Sequence, residues 1–593
     1  MDKLSALRSY FGYDSFRPYQ EEIIDHILQG QDVLAVLPTG AGKSLCFQLP
    51  AVLLEGTAIV ISPLIALMQD QVNFLNQQGI RAACINSTLS FEHIDAILEN
   101  LNAYQLIYIA PERLVQERFL YCLKQAKISF FVIDEAHCIS QWGHDFRPEY
   151  RALHLLKQQF PDKAIAAFTA TATKTVNQDI CQQLRLHTPH KVQSSFDRAN
   201  LLVRIIERGN FNKQLLAFLE NHADECGIIY AATRKKVDTI HDFLLKHGKR
   251  VVKYHAGLSD LDRTRAQRAL MNDDAQIIVA TVAFGMGIHK SNIRFVLHAN
   301  MPKSIEQYYQ EIGRAGRDGL ASECTMWYHY QDLMLQKHLA DTHTDETVQQ
   351  HMKQMAEQMF SFCASLRCRR IDLLHYFSEQ YAHANCEACD NCLSETKVID
   401  GTIIAQKILS CVYRLNQRFG MNYVIEVLRG SKNKNILSRG HDSLSTYQIM
   451  ADSGQKELQH YILSLVQQGY LQFSTGEFPL LQFTQTSRKI LKDKQAVFFR
   501  EKKHSEKKSK VQALDYDKAL FAKLSLMRRE LAVQAGLPPF VIFHDRTLIE
   551  ICNHLPKTRE SLLQINGIGD EKLKRYGDKV LACVVDYTSQ VMA

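Results

Sequence analysis

Asp32-Val33-Leu34-Ala35-Val36-Leu37-Pro38-Thr39-Gly40-Ala41-Gly42-Lys43-Ser44 decides the fold. Its first six residues read as a strand, and Leu45 to Leu54 is apolar enough for a buried helix. Between them, glycines let the backbone curl so that several N–H groups and the helix N-terminus face one anion. Lys43 adds a point charge for the β and γ phosphates of a nucleotide, and Ser44 a hydroxyl for magnesium. The full G-x-x-x-x-G-K-S pattern would need glycine at Leu37, so the match is to the looser x-x-T-G-x-G-K-S form. A Gly-rich turn opening a core helix is the bland alternative, and strand, loop, Lys-Ser and helix in this order outweigh it.

A phosphate loop needs a second carboxylate-bearing strand, and Phe130-Phe131-Val132-Ile133 supplies one, ending in Asp134-Glu135-Ala136-His137. Open α/β sheets present their ligands at such strand ends. Asp134 is expected to hold magnesium through water, and Glu135 to position and deprotonate the attacking water. Gln141-Trp142-Gly143-His144-Asp145-Phe146-Arg147 follows at once. Its aromatic, His and Arg groups suit a nucleotide base, and Gln141, His144, Asp145 and Arg147 are too polar to share a dry core with Trp142.

A second α/β pattern begins near Glu207, with strand-like Gly227 to Tyr230, Gln276 to Thr281 and Arg294 to His298. It has no phosphate loop, so its expected contribution is the opposite wall of the ATP site. Gln310-Glu311-Ile312-Gly313-Arg314-Ala315-Gly316-Arg317-Asp318 supplies two guanidiniums able to reach the γ phosphate.

With 593 residues the chain exceeds one hydrophobic core, and three to five domains are expected. A formal charge of +7, with 46% hydrophobic and 22% charged residues, permits a polyanion partner without requiring one. The sequence holds no apolar run long enough to span a membrane, and its start lacks the apolar core of a secretory signal, so the cytosol is the expected compartment. Most of the fifteen cysteines are scattered in apolar runs, as buried reduced thiols are. Cys368, Cys386, Cys389 and Cys392 differ: their spacing suits a tetrahedral zinc site, with an iron–sulfur cluster as the rival.

From Gly401 to Phe499 a helix carrying Leu458, Ile462, Leu465 and Val466 on one face precedes two short strands, the tail of a winged helix. Lys432, Lys434 and Arg439 in the loop before it could meet phosphates. Arg500 to Lys510 has no apolar periodicity and reads as a flexible linker. Leu520, Leu524, Met527 and Leu531 then make a helical stripe. Gly567-Ile568-Gly569 reads as a structural turn, because Asp570 and Glu571 would repel an anion there, and Phe540 is a candidate for strand contact.

These motifs together resemble the RecQ family of DNA helicases, bacterial type. Tyr13, Phe16-Arg17-Pro18 and Gln20 look like its adenine-reading motif, and Ser62-Pro63-Leu64, Pro111 to Leu114, Thr169-Ala170-Thr171, Tyr254 to Leu258 and Ala280 to Ile288 like further motifs of that family. His289 departs from the Asn or Asp usual there. The resemblance implies an α/β fold with two tandem RecA-like parallel-sheet domains, a zinc-binding helical hairpin, a winged helix and an all-helical HRDC-like domain. The expected spans are 1–206, 207–336, 337–399, 400–499, a linker over 500–514, and 515–593.

It implies ATP contacts at Tyr13, Arg17, Gln20, Thr39, Gly40, Gly42, Lys43 and Ser44, with Tyr13 and Arg17 flanking the adenine and Gln20 bonding its edge. Lys43, Asp134, Glu135, His137, Arg314 and Arg317 are the implied catalytic set, Arg317 being the arginine finger and Arg314 its partner. Trp142, His144, Phe146, Arg147 and His441 are the implied DNA contacts, the first four on a loop that reports strand occupancy to the carboxylates. The implied cofactors are magnesium with ATP and structural zinc. The implied activity is 3′ to 5′ movement on single-stranded DNA and unwinding of duplex in recombination and repair, as a monomer at the nucleoid. Implied protein partners are a single-strand-binding protein and a topoisomerase. An RNA helicase of the same superfamily and a non-unwinding, ATP-gated clamp are the rivals.

Overall fold

The computed structural model describes residues 1–592 apart from 64, 87–88, 141, 144, 224, 286–289, 366, 475–479, 494 and 507–514. His144 and His289 therefore lie outside the described residues. The chain forms two compact units, one of residues 1–359, 370–383 and 510–593 and the other of 360–369 and 384–509.

The first unit holds two parallel sheets. Strands β1 (Val33–Val36), β2 (Thr57–Ile61), β3 (Ala82–Ile85), β4 (Leu106–Ile109), β5 (Ile128–Ile133), β6 (Ile165–Thr169) and β7 (His190–Gln193) run in the order β3-β4-β2-β5-β6-β1-β7. Every residue of β1, β2, β3, β4 and β6 is buried, as helices on both faces of a parallel sheet require. That order sets β5, β6 and β1 side by side, so the segments after them leave one edge of the sheet together. These are Asp134-Glu135, Thr169 to Thr171, and the phosphate loop.

β8 (Leu201–Glu207), β9 (Cys226–Tyr230), β10 (Val251–Tyr254), β11 (Ile277–Ala280), β12 (Ile293–His298) and β13 (Ser322–Tyr328) form the second sheet, ordered β10-β11-β9-β12-β13-β8. The second lobe thus starts at Leu201, not Glu207. β8 is paired along its whole length with β13, a partner over a hundred residues later that local reading could not supply.

A helical bundle closes the first unit, with Leu520, Leu524 and Leu531 in its core and Met527 packed against them. Gly567 (φ +89°) makes the expected structural turn: Thr547 donates to the neighbouring Asn566 carbonyl, and Ile568 is buried. Phe540 is no strand contact. It is 7% exposed, with the Lys290 ammonium 5.6 Å from its ring centroid.

In the second unit, helices Thr402–Arg414, Met421–Arg429 and Gln455–Gln467 pack one core with the paired short strands Leu471–Phe473 and Leu481–Phe483, the expected helix and hairpin. The linker reading fails for Arg500 to Glu506. There the chain is a strand (Phe498–Glu506) antiparallel to another at Ser394–Asp400, so this pair brackets the winged helix. Absence of apolar periodicity says nothing about a backbone ladder whose partner lies a hundred residues away. Residues 507–514 lie outside the described set. Among the described residues no helix is long and apolar enough to cross a membrane.

Candidate ATP and nucleic-acid site

The phosphate loop is shaped by two left-handed glycines, Gly40 (φ +88°) and Gly42 (φ +84°). A Cβ on Gly42 would sit 2.4 Å from Gln20 Nε2, so this turn admits only glycine. Lys43 begins the following helix, Lys43–Leu53. Its Nζ is buried and has no hydrogen-bond partner among the described residues. A buried cation left so is costly unless an anion completes the site, and a triphosphate has that chemistry.

Facing it are the carboxylates after β5. Asp134 is fixed by three groups: Glu135 N–H donates to Oδ1 (3.0 Å), the Ser62 hydroxyl donates to Oδ2 (3.3 Å), and the Tyr150 hydroxyl donates to its carbonyl (3.1 Å). Burial, then the adjacent Glu135, raises the Asp134 carboxyl to about 6, against the opposing pull of Lys43. A divalent cation would relieve that repulsion, so the donor set fits magnesium. Glu135 adopts the left-handed region (φ +48°), which turns its side chain out of the strand line. Its Oε2 is buried without a hydrogen-bond partner among the described residues, 3.4 Å from His137 Nδ1.

His137 is fully buried, and burial lowers it to about 4, so the ring is neutral at pH 7. Thr169 donates its hydroxyl proton to the Thr171 carbonyl (3.1 Å), which assigns His137 Nδ1 as the donor to Thr169 Oγ1 (2.9 Å). Gln310 Nε2 in turn donates to Thr171 Oγ1 (3.4 Å). Glu135, His137, Thr169, Thr171 and Gln310 therefore form a continuous polar path from the carboxylates to the second lobe.

That lobe meets the phosphate loop directly. Thr39 Oγ1 donates to the Gly313 carbonyl (3.0 Å), and the Arg317 side chain lies against Gly40, 3.5 Å from where a Cβ would stand. Burial, then Arg314 and Arg198, pushes Arg317 down to about 9, still protonated at neutral pH. Anionic charge brought among these crowded guanidiniums would be stabilised. Arg314 differs from expectation: its Nη1 donates to the Gly285 carbonyl, so it braces the segment after β11 instead of pointing at a phosphate.

Other expected contacts also bond the protein itself. Gln20 is 2% exposed; Oε1 accepts from Arg17 N–H (2.9 Å), and Nε2 donates to the Ala41 (3.4 Å) and Gly42 (3.2 Å) carbonyls. Its amide ties this motif to the phosphate loop and leaves little for an adenine edge. Arg17 Nη1 reaches the Gly40 carbonyl (2.7 Å), while Tyr13 remains half exposed and free to stack. Arg147 bonds Asp145 (3.2 Å) and the Pro63 carbonyl (3.1 Å), so it buttresses the aromatic loop. His255 is likewise enclosed, near Asp238 (3.4 Å) and accepting from Gly257 N–H (3.2 Å).

Trp142 is 47% exposed and meets the His351 ring edge-on at 5.4 Å. Phe146 is half-buried under the Arg151 guanidinium, 5.1 Å from its centroid. In the second unit, His441 pairs with the Tyr423 hydroxyl (2.7 Å) and Arg439 lies over Phe419 (5.1 Å), with Lys432 and Lys434 exposed nearby in sequence.

Cys368, Cys386, Cys389 and Cys392 bring all four sulfurs within 4.8 Å of one another, with Cys386 and Cys392 3.9 Å apart. A zinc tetrahedron with arms of about 2.3 Å has edges of about 3.8 Å, so the cluster fits the ion. Arg369 grips Asp390 with Nε (3.0 Å) and Nη2 (3.1 Å), and Asn391 donates to the Ser365 (2.9 Å) and Arg367 (2.6 Å) carbonyls, fixing the knuckle around the metal.

Sequence reading missed Ser62 and Tyr150 as supports of Asp134, and the linker Ser194 to Asn200 altogether. The one signal in that linker is a charged pair, Asp197-Arg198, a few residues before the apolar strand that opens at Leu201.

Residues 17–179 match the DEAD/DEAH box helicase family, 210–319 the helicase conserved C-terminal domain, 330–393 the RecQ zinc-binding family, 395–508 the RQC domain and 517–584 the HRDC domain. The chain is 43% identical over 577 residues to the ATP-dependent DNA helicase RecQ of Bacillus subtilis, covering 97% of this chain and 96% of that one. It is 42% identical over 597 residues to the protein of that name in Haemophilus influenzae, covering 98% and 96%. An ATP-dependent DNA helicase Q-like protein of Arabidopsis thaliana is 35% identical over 637 residues, 97% of this chain and 55% of that one.

Proposed function

The chain belongs to the RecQ family of ATP-dependent DNA helicases, and on that premise we propose how its residues divide the work. The protein hydrolyses ATP and uses the energy to separate DNA strands, with structural zinc held by Cys368, Cys386, Cys389 and Cys392. Lys43 and the backbone N–H groups of Gly40 to Ser44 bind the phosphates. Asp134 and Ser44 hold magnesium, which neutralises the developing phosphate charge when bound. Glu135 orients the attacking water and takes its proton. Arg317 closes the site from the second lobe, and Arg314 sets the segment on which it rides. Tyr13 stacks on the base. Trp142 and Phe146 stack on single-stranded DNA, and strand occupancy reaches Glu135 through His137. His441 and the basic residues around it meet duplex.

One observation carries this division: Lys43 Nζ and Glu135 Oε2 are both buried without a hydrogen-bond partner among the described residues, at one sheet edge that Arg317 closes. Two groups of opposite charge, each buried without a hydrogen-bond partner among the described residues, make a site that Mg-ATP and water would complete. Family membership supports 3′ to 5′ polarity, a nucleoid setting, monomeric action and work beside a single-strand-binding protein and a topoisomerase. The test is ATPase and unwinding on forked, flush and single-stranded DNA and RNA. DNA should stimulate hydrolysis and RNA should not, and Lys43→Ala should bind DNA without unwinding it. RNA stimulation, or a Lys43→Ala protein that unwinds, refutes the reading.

A further inference from the structure

The linker between the two sheets, Ser194 to Asn200, does more than connect them. Arg198 spreads its guanidinium over four carbonyls from both lobes: Nη1 donates to Thr39 (3.5 Å) and Gly313 (3.4 Å), Nη2 to Ala315 (2.9 Å) and Gly316 (3.1 Å). Thr39 belongs to the phosphate loop, and the other three lie on the turn that carries Arg314 and Arg317. Asn200 Nδ2 bonds the same turn at Gly316 (2.9 Å) and Leu320 (2.8 Å). At Gly316 (φ +57°) a Cβ would stand 2.3 Å from that amide nitrogen, so the turn and the linker are shaped to each other.

The linker itself is held from behind by the segment Arg370 to Glu379. Arg370 is 8% exposed and pairs with Asp197 (2.9 Å) while donating to the Arg198 (3.2 Å) and Leu201 (3.0 Å) carbonyls. Glu379 accepts from the Ser195 hydroxyl (2.5 Å) and from Phe196 N–H (2.7 Å). Phe377 stacks on Phe196 with centroids 4.3 Å apart and planes 13° from parallel, and the Tyr309 hydroxyl donates to the Phe196 carbonyl (2.9 Å). A flexible connector would need none of these contacts. A strut needs all of them.

We infer that Arg198 is a positioning residue for Arg317: braced by Arg370, Phe377 and Glu379, it locks the Arg317 turn to the phosphate loop when the cleft is closed. The inference rests on Arg317 acting at the γ phosphate. Among the described residues Arg198 bonds backbone carbonyls, and a planar fork with five donors is the side chain able to hold several at once. Its longest bond, to Thr39, is the one that opening of the cleft would break first. Its positive charge also stands near Arg317.

The experiment is steady-state DNA-stimulated ATPase of R198A, R198K and R317A in the full chain, with melting temperature, DNA affinity and binding of a fluorescent ATP analogue measured alongside. A displacement of about 1 Å at a reacting group costs about 100-fold in rate. R198A should therefore lose roughly 10- to 100-fold in kcat, with KM for ATP, analogue binding and melting unchanged. R198K, which keeps the charge and loses the fork, should recover only a small part. If R198A melts early, R198K carries the test by the same split of kcat from KM. Wild-type kcat in R198A or R198K, or a fall shared equally by kcat and analogue binding, overturns the inference. R317A separates the two levels: active R317A refutes the finger role itself, whereas inactive R317A beside normal R198A refutes only the positioning role.

Discussion

Gly313→Ala tests how closely the two lobes must meet. Gly313 has ordinary helical angles (φ −61°, ψ −7°), so alanine is compatible with the backbone angles there. The new Cβ, however, would stand 2.3 Å from Thr39 Oγ1 and 3.1 Å from the Tyr309 carbonyl. Ordinary contact begins near 3.4 Å, so Thr39 must give by about 1 Å, either by turning its hydroxyl away or by moving the phosphate loop from the Arg317 turn. Either response breaks the Thr39 to Gly313 hydrogen bond (3.0 Å). Where the phosphate loop itself moves, a misplacement of about 1 Å costs about 100-fold, or about 2.7 kcal/mol in the barrier. The assay is DNA-stimulated ATPase with a parallel melting curve. We expect kcat to fall about 100-fold at unchanged melting temperature, with partial recovery in Gly313→Ala combined with Thr39→Ala, which removes the obstructing hydroxyl. Full activity in Gly313→Ala would show that the cleft works without this contact and would refute the closed-site geometry.

Trp142→Ala should bind ATP normally while losing most stimulation by single-stranded DNA, since one stacked base is worth roughly 1 to 3 kcal/mol; ATPase titrated with oligonucleotide checks it, and normal stimulation contradicts the sensor role. Metal analysis should give about one zinc per chain in a colourless protein, and Cys389→Ala should lose the ion and melt earlier, whereas visible charge-transfer absorbance would point to iron. His137 is lowered from its usual 6.5 to about 4 by burial. The unfolded chain therefore binds that proton first, so the stability gained from a neutral His137 is present above about pH 6.5 and drains away as pH falls towards 4. Melting curves across that window should slope less in His137→Gln than in the parent protein, and equal slopes would contradict a buried neutral ring.

The phosphate loop, the carboxylates after β5 and the four cysteines were readable because each needs particular residue types at short spacing. The left-handed backbone at position 42 favours glycine, and three of the four thiolates fall within the seven residues Cys386 to Cys392. What escaped reading is long-range. Gln20, Arg147 and Arg314 are polar groups whose residue type fits an external ligand equally well, and only folding shows that carbonyls of the phosphate loop, of Pro63 and of Gly285 take up their donors. β8 and the strand at Phe498–Glu506 are paired with partners about a hundred residues off, so no local pattern could mark them. The linker at Ser194 to Asn200 escaped notice because its bracing groups lie at 309 and 370–379.

The most direct test of the account is single-turnover hydrolysis by Glu135→Gln in the presence of single-stranded DNA. This change keeps the shape of the side chain and removes the carboxylate that takes the proton from water. The account predicts tight binding of ATP and DNA with the chemical step slowed by roughly 100-fold or more, the scale of general-base catalysis. Hydrolysis within a few-fold of the parent protein would contradict it, because the Glu135 carboxylate would then have no part in the reaction.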